Sequence, residues 1–221
     1  MEKINFSECT LSKMEETFNL VPTKKSKLLA EWIEADMELS AFHQETVCGL
    51  CELLQDNVSH WNEYDLSLHF IGPMFSTVNF TARLRFNLFA QHTLSAEVNQ
   101  IMLSGRVDEV IASGYRSPKL PFFAFNEYKK ETDPNGDPQG QALAAMLVGQ
   151  QQNKNSDKNF PIYGCYIIGR NWFFMVLEGN KYTTSEAYQS TKYNDALQIF
   201  RILLQLKTYC LERTSHIIVE D

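Results

Sequence analysis

The chain has 221 residues, of which 44% are hydrophobic and 15 are phenylalanine, enough for one domain with a sizeable core and an appended region. Its net charge is −7, and residues 1–63 carry all of this excess with 12 acidic and five basic residues, whereas the remaining chain carries 15 of each. This balance excludes the basic footprint of a high-affinity DNA-binding chain, and no apolar run reaches the ~20 residues of a membrane helix.

The cysteines indicate a reducing compartment. The five are odd in number and widely scattered, and the chain opens on mixed charge rather than on a secretory pattern. Cys48 and Cys51 form a lone CxxC motif without a second pair of zinc ligands, so we interpret both as small side chains that face the core. We therefore expect a cytoplasmic protein without a membrane segment.

The first 57 residues predict a helical N-terminal extension that packs on a core domain of residues 58–221. Residues 1–22 are typical of a short helix or an arm that ends at Pro22. Apolar residues then recur at three- and four-residue spacing over residues 26–57, which indicates one long helix or two.

The next segment predicts a helix followed by strands. The helix covers residues 61–75 and ends at Gly72-Pro73. Alternating apolar residues predict strands within residues 76–92, 94–98 and 101–103, after which Gly105 lets the chain turn into a strand at residues 107–112.

The second half alternates strands with helices. We predict strands at residues 122–129, 161–168 and 172–177, a turn at 132–136, a buried helix at 139–151 capped by Asp137, a polar loop at 149–159 and a closing helix at 193–211. Strand, helix and strand make a βαβ crossover. The chain is therefore expected to be α/β, with a mixed sheet of about five or more strands and helices on both sides.

Three charged residues on neighbouring predicted strands are candidates for chemistry. Glu127 and Lys129 lie two apart, so on a strand they point to the same face, and Asp108 lies on the strand before. They follow a very apolar run, where burial of charge is costly unless the charge is paired or bound to a metal. Two convergent carboxylates can hold Mg²⁺, and a lysine beside them can stabilise phosphate charge.

This ordered set resembles the PD-(D/E)XK nuclease superfamily, and the resemblance covers roughly residues 62–179. It implies a restriction-endonuclease-like fold and identifies Glu63 as the first-motif acid, with Glu45 and Glu52 as alternatives. Asp108 matches the second-motif acid, although Val107 rather than proline precedes it. Glu127 and Lys129 match the third motif. Gln141 matches the helix glutamine of many members, and Gln139 competes with it because the helix register is open.

The resemblance implies a Mg²⁺- or Mn²⁺-dependent nuclease of a bacterial branch, with DNA favoured as substrate. Asp108 and Glu127 would hold the metal, and Glu63 would assist directly or through water. Lys129 would position the attacking water, and Gln141 would orient the water, the lysine or a phosphate. A homodimer or a larger defence or repair complex is compatible with this interpretation. The alternatives are a nuclease-like domain that binds nucleic acid or a protein without cleaving, and an unrelated α/β interaction protein.

Overall fold

The computed structural model describes residues 2–132, 135–156 and 160–215, so parts of the predicted turn at 132–136 and of the predicted loop at 149–159 lie outside the described residues. The helices are α1 (Leu11–Phe18), α2 (Lys27–Ile33), α3 (Ala41–Asn57), α4 (Glu63–Leu66), α5 (Gly72–Val78), α6 (Pro138–Lys154) and α7 (Tyr193–Arg213). The strands are β1 (Glu2–Asn5), β2 (Val21–Pro22), β3 (Phe86–Ala90), β4 (Thr93–Val98), β5 (Ile101–Arg106), β6 (Glu109–Ser113), β7 (Lys119–Lys129), β8 (Ile162–Ile168), β9 (Asn171–Glu178), β10 (Lys181–Thr184) and β11 (Tyr188–Gln189).

A large mixed sheet organises the molecule. Its strand order is β2-β10-β9-β8-β7-β6-β3, and β11 pairs with β9. β3, β6 and β7 are antiparallel neighbours, β7 and β8 are parallel and joined through α6, and β8 and β9 form an antiparallel hairpin. The predicted α/β class, the crossover and the hairpin are confirmed.

A second, three-stranded sheet explains why α6 is apolar on nearly every side. The order of this sheet is β1-β5-β4, and it packs on the side of α6 that faces away from the large sheet. A helix between two sheets has no solvent face and loses its amphipathic stripe. Gly149 and Gly164 permit the close approach, since an added Cβ would lie 2.3 Å from Phe125 and from Met146 respectively.

Helices cover the other face of the large sheet. There α2, α3, α5 and α7 pack over a cluster of aromatic residues, and the indole Nε1 of Trp32 donates a hydrogen bond to the carbonyl of Ile202 in α7 (2.9 Å). Burial of the Trp32 ring without loss of its hydrogen bond ties α2 to the closing helix. None of the described helices is long and apolar enough to cross a membrane.

The N-terminal 57 residues are less purely helical than the sequence suggests. They contain two helices, α2 and α3, over the stretch predicted as one or two, but β1 also joins the small sheet and β2 joins the large one. Strands of four and two residues carry too little alternation to be seen in the sequence.

Two local predictions are wrong. The helix does not end at Gly72-Pro73: a π-helical segment (Ser67–Ile71) leads directly into α5. Proline, which lacks a backbone N–H, is accommodated where the α-helical hydrogen-bond pattern is already interrupted. Consequently Val78 is helical and the strand begins only at Phe86. Gly105 lies inside β5 instead of a turn, and an added Cβ there would lie 2.2 Å from the ring of Phe6, so glycine permits close packing.

The helix predicted at 139–151 also extends further than expected. α6 continues to Lys154, into the stretch predicted as a polar loop. Asn153 explains this extension, because its side chain is buried and exchanges two hydrogen bonds with the backbone of Phe122 in β7 (2.8 and 2.7 Å). A polar residue near a helix end therefore has a structural partner that the sequence does not reveal.

Candidate functional site

The predicted site residues meet at one edge of the large sheet. The strand registers place the carboxyl ends of β7, β8, β10 and β2 and the amino ends of β6 and β9 at this edge, which we call the site edge. Asp108 precedes β6, and Glu127 and Lys129 end β7. Because Glu109 pairs with Asn126, the preceding Asp108 faces the same side of the sheet as Glu127.

Asp108 is held by two hydrogen bonds. One carboxylate oxygen accepts from the backbone N–H of Tyr128 (3.0 Å), between Glu127 and Lys129, and the other accepts from the Gln91 side chain (2.9 Å). Gln91 lies in a left-handed turn after β3 (φ 58°), and its own N–H donates to the carbonyl of Asp108 (2.8 Å). Sequence reasoning missed Gln91, since its role depends on the pairing of β3 with β6.

Glu127 and Lys129 form a close ion pair. The ammonium Nζ lies 2.6 Å from Oε1, and the exposed fractions of the two side chains are only 12% for Lys129 and 10% for Glu127. Burial and, to a smaller extent, the charge of Asp108 raise the pKa of Glu127 to about 7 against the opposing effect of Lys129. Burial alone would lower the pKa of Lys129, but the charge of Glu127 raises it above its usual value. The pair thus places a carboxyl that titrates near neutrality beside a firmly protonated amine.

Glu63 is near this pair, at the first position of α4. Its charge raises the pKa of both Glu127 and Lys129, after the larger effects of burial and of closer charges. The alternative acids Glu45 and Glu52 are instead exposed on α3, which packs against α7. Of the three acids, the structure brings Glu63 to the site edge.

The two glutamines of α6 have different surroundings. The amide of Gln139 donates to the hydroxyl of Thr184 on β10 (3.0 Å), whereas Gln141 lies under the turn at Gly136, where an added Cβ would be 2.5 Å from its amide nitrogen. In the described part of the chain, Gln141 forms no hydrogen bond with Asp108, Glu127 or Lys129. The structure therefore places Gln141 at the start of α6 without bringing it into contact with the acids.

The donor set at the site edge suits a hard divalent cation. Two carboxylates lie close enough for one to raise the pKa of the other, and Mg²⁺ and Mn²⁺ prefer such oxygen ligands. Within residues 2–132, 135–156 and 160–215, no group of three or more His, Cys, Asp or Glu side chains is arranged to hold a metal ion. The ligands that would hold such a cation are therefore the carboxylates of Asp108 and Glu127.

A second buried acid lies directly behind the site, and sequence reasoning missed it. Glu109 is 5% exposed, faces the opposite side of the sheet from Asp108 and lies 3.5 Å from the amide of Asn126. Burial, aided by the charge of Asp108 and opposed by the hydrogen bond from Asn126, raises its pKa to about 8. A Glu at the start of a strand is typical of an exposed position, and only the packing over this face shows otherwise.

An ion pair borders the site at the turn between β8 and β9. Arg170 binds both carboxylate oxygens of Glu131 (2.5 and 2.9 Å), and the N–H of Gly169 donates to the carbonyl of Lys129 (2.9 Å). This bidentate pair anchors the chain just beyond Lys129. It therefore fixes the end of β7 on which the candidate lysine lies.

The remaining candidate residues are structural. Tyr128 and Trp172 are 8% and 0% exposed and belong to the aromatic cluster under the helices, so neither ring is available to stack on a base. All five cysteines are free thiols. Cys51 is buried as expected, whereas Cys48 is half-buried and its thiol lies 3.7 Å from the carboxylate of Glu52.

Neither a comparison with protein-family models nor a comparison with curated proteins finds a match to this chain. Functional inference therefore rests on the geometry and chemistry of the site edge.

Proposed function

We propose that this protein is a Mg²⁺- or Mn²⁺-dependent nuclease with a restriction-endonuclease-like fold that hydrolyses phosphodiester bonds, with DNA as the favoured substrate. The observation that carries the proposal is the convergence at the site edge. The backbone N–H between Glu127 and Lys129 donates to Asp108, while Lys129 pairs with Glu127. Two carboxylates and a lysine thus lie on the same face of adjacent strands.

The topology supports the same proposal. A helix (α4 and α5), three antiparallel strands (β3, β6 and β7), a helix (α6) and a parallel strand (β8) follow one another and position the acids at one edge. The resemblance in the sequence implies this order of elements. The hairpin of β4 and β5, inserted between β3 and β6, adds the small sheet without displacing the site edge.

Each residue has a role in this proposal. Asp108 and Glu127 would hold the metal, with Glu63 assisting directly or through water. When bound, the metal would polarise the scissile phosphate and make a bound water more acidic. Lys129 would orient the attacking water or stabilise negative charge on the phosphate, and Gln91 would fix the orientation of Asp108.

A second candidate is a nuclease-like domain that binds nucleic acid or a protein without cleaving it. The ion pair favours this candidate, because Lys129 occupies one oxygen of Glu127, and both oxygens of Asp108 already accept hydrogen bonds. Cleavage would require these contacts to loosen. The two candidates differ in one measurable property, divalent-ion-dependent hydrolysis.

The test is a cleavage assay on DNA and RNA with Mg²⁺ or Mn²⁺, together with calorimetric titration of Mn²⁺. We expect Asp108→Ala and Glu127→Ala to abolish both ion binding and cleavage, since two carboxylates are a minimal clamp. Glu97→Gln is a matched control, because Glu97 is exposed on β4. Unchanged Mn²⁺ affinity in both alanine variants would overturn the assignment, and ion binding without hydrolysis of any substrate would favour the second candidate.

A further inference from the structure

A pair of lysines reaches the same edge of the sheet as the acids. β2 extends the sheet beyond β10, and its register pairs Pro22 with Tyr182. The N–H of Thr23 continues the ladder by donating to the carbonyl of Tyr182 (2.8 Å). Since β2 runs parallel to β10, the chain leaves the sheet at the site edge, and the next two residues are Lys24 and Lys25.

Both lysines are exposed, and neither forms an ion pair or a side-chain hydrogen bond in the described part of the chain. Two other cations are already engaged: Lys27 lies 3.5 Å from Glu31, and Arg170 is held by Glu131. The charges of Lys24 and Lys25 are therefore available to an anionic partner, although the exposed Glu186 lies on the same side.

A polar cleft lies between Lys24 and the start of α6. A cavity of about 530 Å³ is lined by Lys24, Gln139, Tyr182, Thr184 and Glu186, among others. Gln139, whose amide donates to Thr184, belongs to the first turn of the helix that also carries Gln141. Hydroxyl and amide groups of this kind commonly contact phosphate oxygens. The cleft thus supplies neutral hydrogen-bonding groups beside Lys24.

The separation along the edge suits a duplex. From β7 to β2 there are four strand spacings, since β8, β9 and β10 lie between them, and at about 4.8 Å each they span roughly 19 Å. DNA advances by about 3.4 Å per base pair, so this span corresponds to roughly five or six base pairs. A duplex along the site edge would reach both the acids and the lysines.

We propose that Lys24 and Lys25 bind the phosphate backbone of a DNA duplex whose cleaved bond lies at Asp108 and Glu127. This inference rests on the proposed nuclease function and adds where the substrate is held. The chain carries a net charge of −7 and must accept a polyanion. The unpaired cations at the site edge reduce the repulsion between the acidic chain and the DNA backbone. Because they contact phosphates, they act without preference for a DNA sequence.

The test is the salt dependence of binding to a labelled duplex of about 30 base pairs, with Ca²⁺ in place of Mg²⁺ so that binding is measured apart from hydrolysis. The variant is Lys24→Gln/Lys25→Gln. The matched control is Lys119→Gln/Lys154→Gln, which removes two exposed lysines at the start of β7 and the end of α6, away from the site edge. Each phosphate contact contributes about 0.9 to the slope of log K against log salt.

We expect the Lys24/Lys25 variant to reduce the magnitude of that slope by about two units, equally for unrelated DNA sequences. The control variant should leave the slope unchanged. Equal slopes in the wild type and both variants would overturn the inference while leaving the nuclease proposal intact. A wild type that does not bind DNA would overturn both. A lowered slope in a protein that binds DNA but hydrolyses no substrate would support the lysine site and reject the nuclease function.

Discussion

The two faces of the large sheet each bury a glutamate, and the two glutamates behave differently. On the face toward α6, Glu127 lies beside Lys129 and opens to the site edge. On the face under α3, α5 and α7, the carboxylate of Glu109 has one hydrogen-bond partner within the described residues, the amide of Asn126. Burial raises the pKa of Glu127 to about 7 and that of Glu109 to about 8. Both glutamates are therefore notable for their burial. They differ in the polar partner, which is Lys129 for Glu127 and Asn126 for Glu109.

The difference shows what a buried acid needs in order to act. Glu127 has a cation within hydrogen-bonding distance and a second carboxylate across the strand pair, which is the arrangement that the proposed exchange of Lys129 for a metal ion requires. Glu109 forms no ion pair within the described residues and is only 5% exposed. A carboxyl in such a place is most stable when it is protonated. The face toward α6 thus carries the proposed chemistry, and the opposite face adds a dependence of stability on pH.

The largest effect is expected from Glu109→Gln at alkaline pH. The pKa of Glu109 is higher in the folded protein, at about 8, than the ordinary 4.5 of the unfolded chain. The folded state therefore keeps a proton that the unfolded state releases. The stabilisation is complete below about pH 4.5 and is lost as pH rises through about 8. At pH 9 the glutamine variant should exceed the wild type in free energy of unfolding by roughly 3 to 5 kcal/mol.

Urea unfolding at pH 5 and at pH 9 measures this difference. Near pH 5 the two proteins should be almost equally stable. Glu127→Gln should remove a second part of the dependence of stability on pH. In the wild type this part is lost as pH rises through about 7 instead of about 8, because Lys129 stabilises the charged form of Glu127 and so lowers its pKa. A variant Glu109→Gln that is no more stable than the wild type at pH 9 would contradict the burial of an unpaired carboxyl.

The next largest effect concerns Lys129→Met, which keeps the aliphatic stem and removes the charge. If the nuclease proposal holds, cleavage should fall by roughly 10²-fold, the scale of losing one electrostatic stabiliser. Mn²⁺ binding should remain, since both carboxylates are still present. The pKa of Glu127 should rise above about 7, because the cation that lowers it is gone.

The neighbouring Lys130 provides the control. It is half-buried and forms no ion pair within the described residues, so Lys130→Met should change the cleavage rate by no more than a few-fold. Single-turnover kinetics would separate the rate of hydrolysis from DNA affinity. Activity within a few-fold of the wild type in Lys129→Met would place this lysine outside the chemistry and reduce its role to pairing with Glu127.

The sequence predicts the long elements on both faces of the large sheet better than the short strands. The long apolar runs of β7, α6, β8 and β9 and the stripe of α7 carry enough periodicity to be located within a few residues. The spacing of Glu127 and Lys129 places them on one side of a strand without further information. By contrast, β1, β2, β10 and β11 have two to four residues each, and their pairing with distant strands decides their structure.

The contacts that distinguish the two glutamates cannot be predicted from local patterns. Gln91 reaches Asp108 only because β3 and β6 pair, across 17 residues of sequence. Glu109 adjoins Asp108 in the chain, yet one residue of a strand changes the face, and the helices above that face decide its burial. Long-range packing therefore determines which acid can reach a substrate, whereas periodicity determines only which side of a strand it occupies.

The smallest effect is expected from the acids on the helical side of the molecule. Glu34, Asp36 and Glu38 are exposed in the segment between α2 and α3. The backbone of this segment accepts hydrogen bonds from the α7 residues Gln198 and Arg201. It is therefore anchored on the face opposite α6. A variant that tests these three acids keeps Glu31, because Glu31 contacts Lys27 beside the proposed lysine site.

Replacing these three acids by Gln, Asn and Gln should raise DNA affinity less than about twofold at 0.15 M salt, where the screening length is about 8 Å. At 0.01 M salt the screening length is about 30 Å, so the same variant should bind more tightly than the wild type by a larger factor. Fluorescence titration at both salt concentrations measures the two ratios. A gain of tenfold or more at 0.15 M would mean that these acids lie close to the bound DNA. The acids of the helical side would then repel DNA at the site edge, so both faces of the large sheet would act on the substrate.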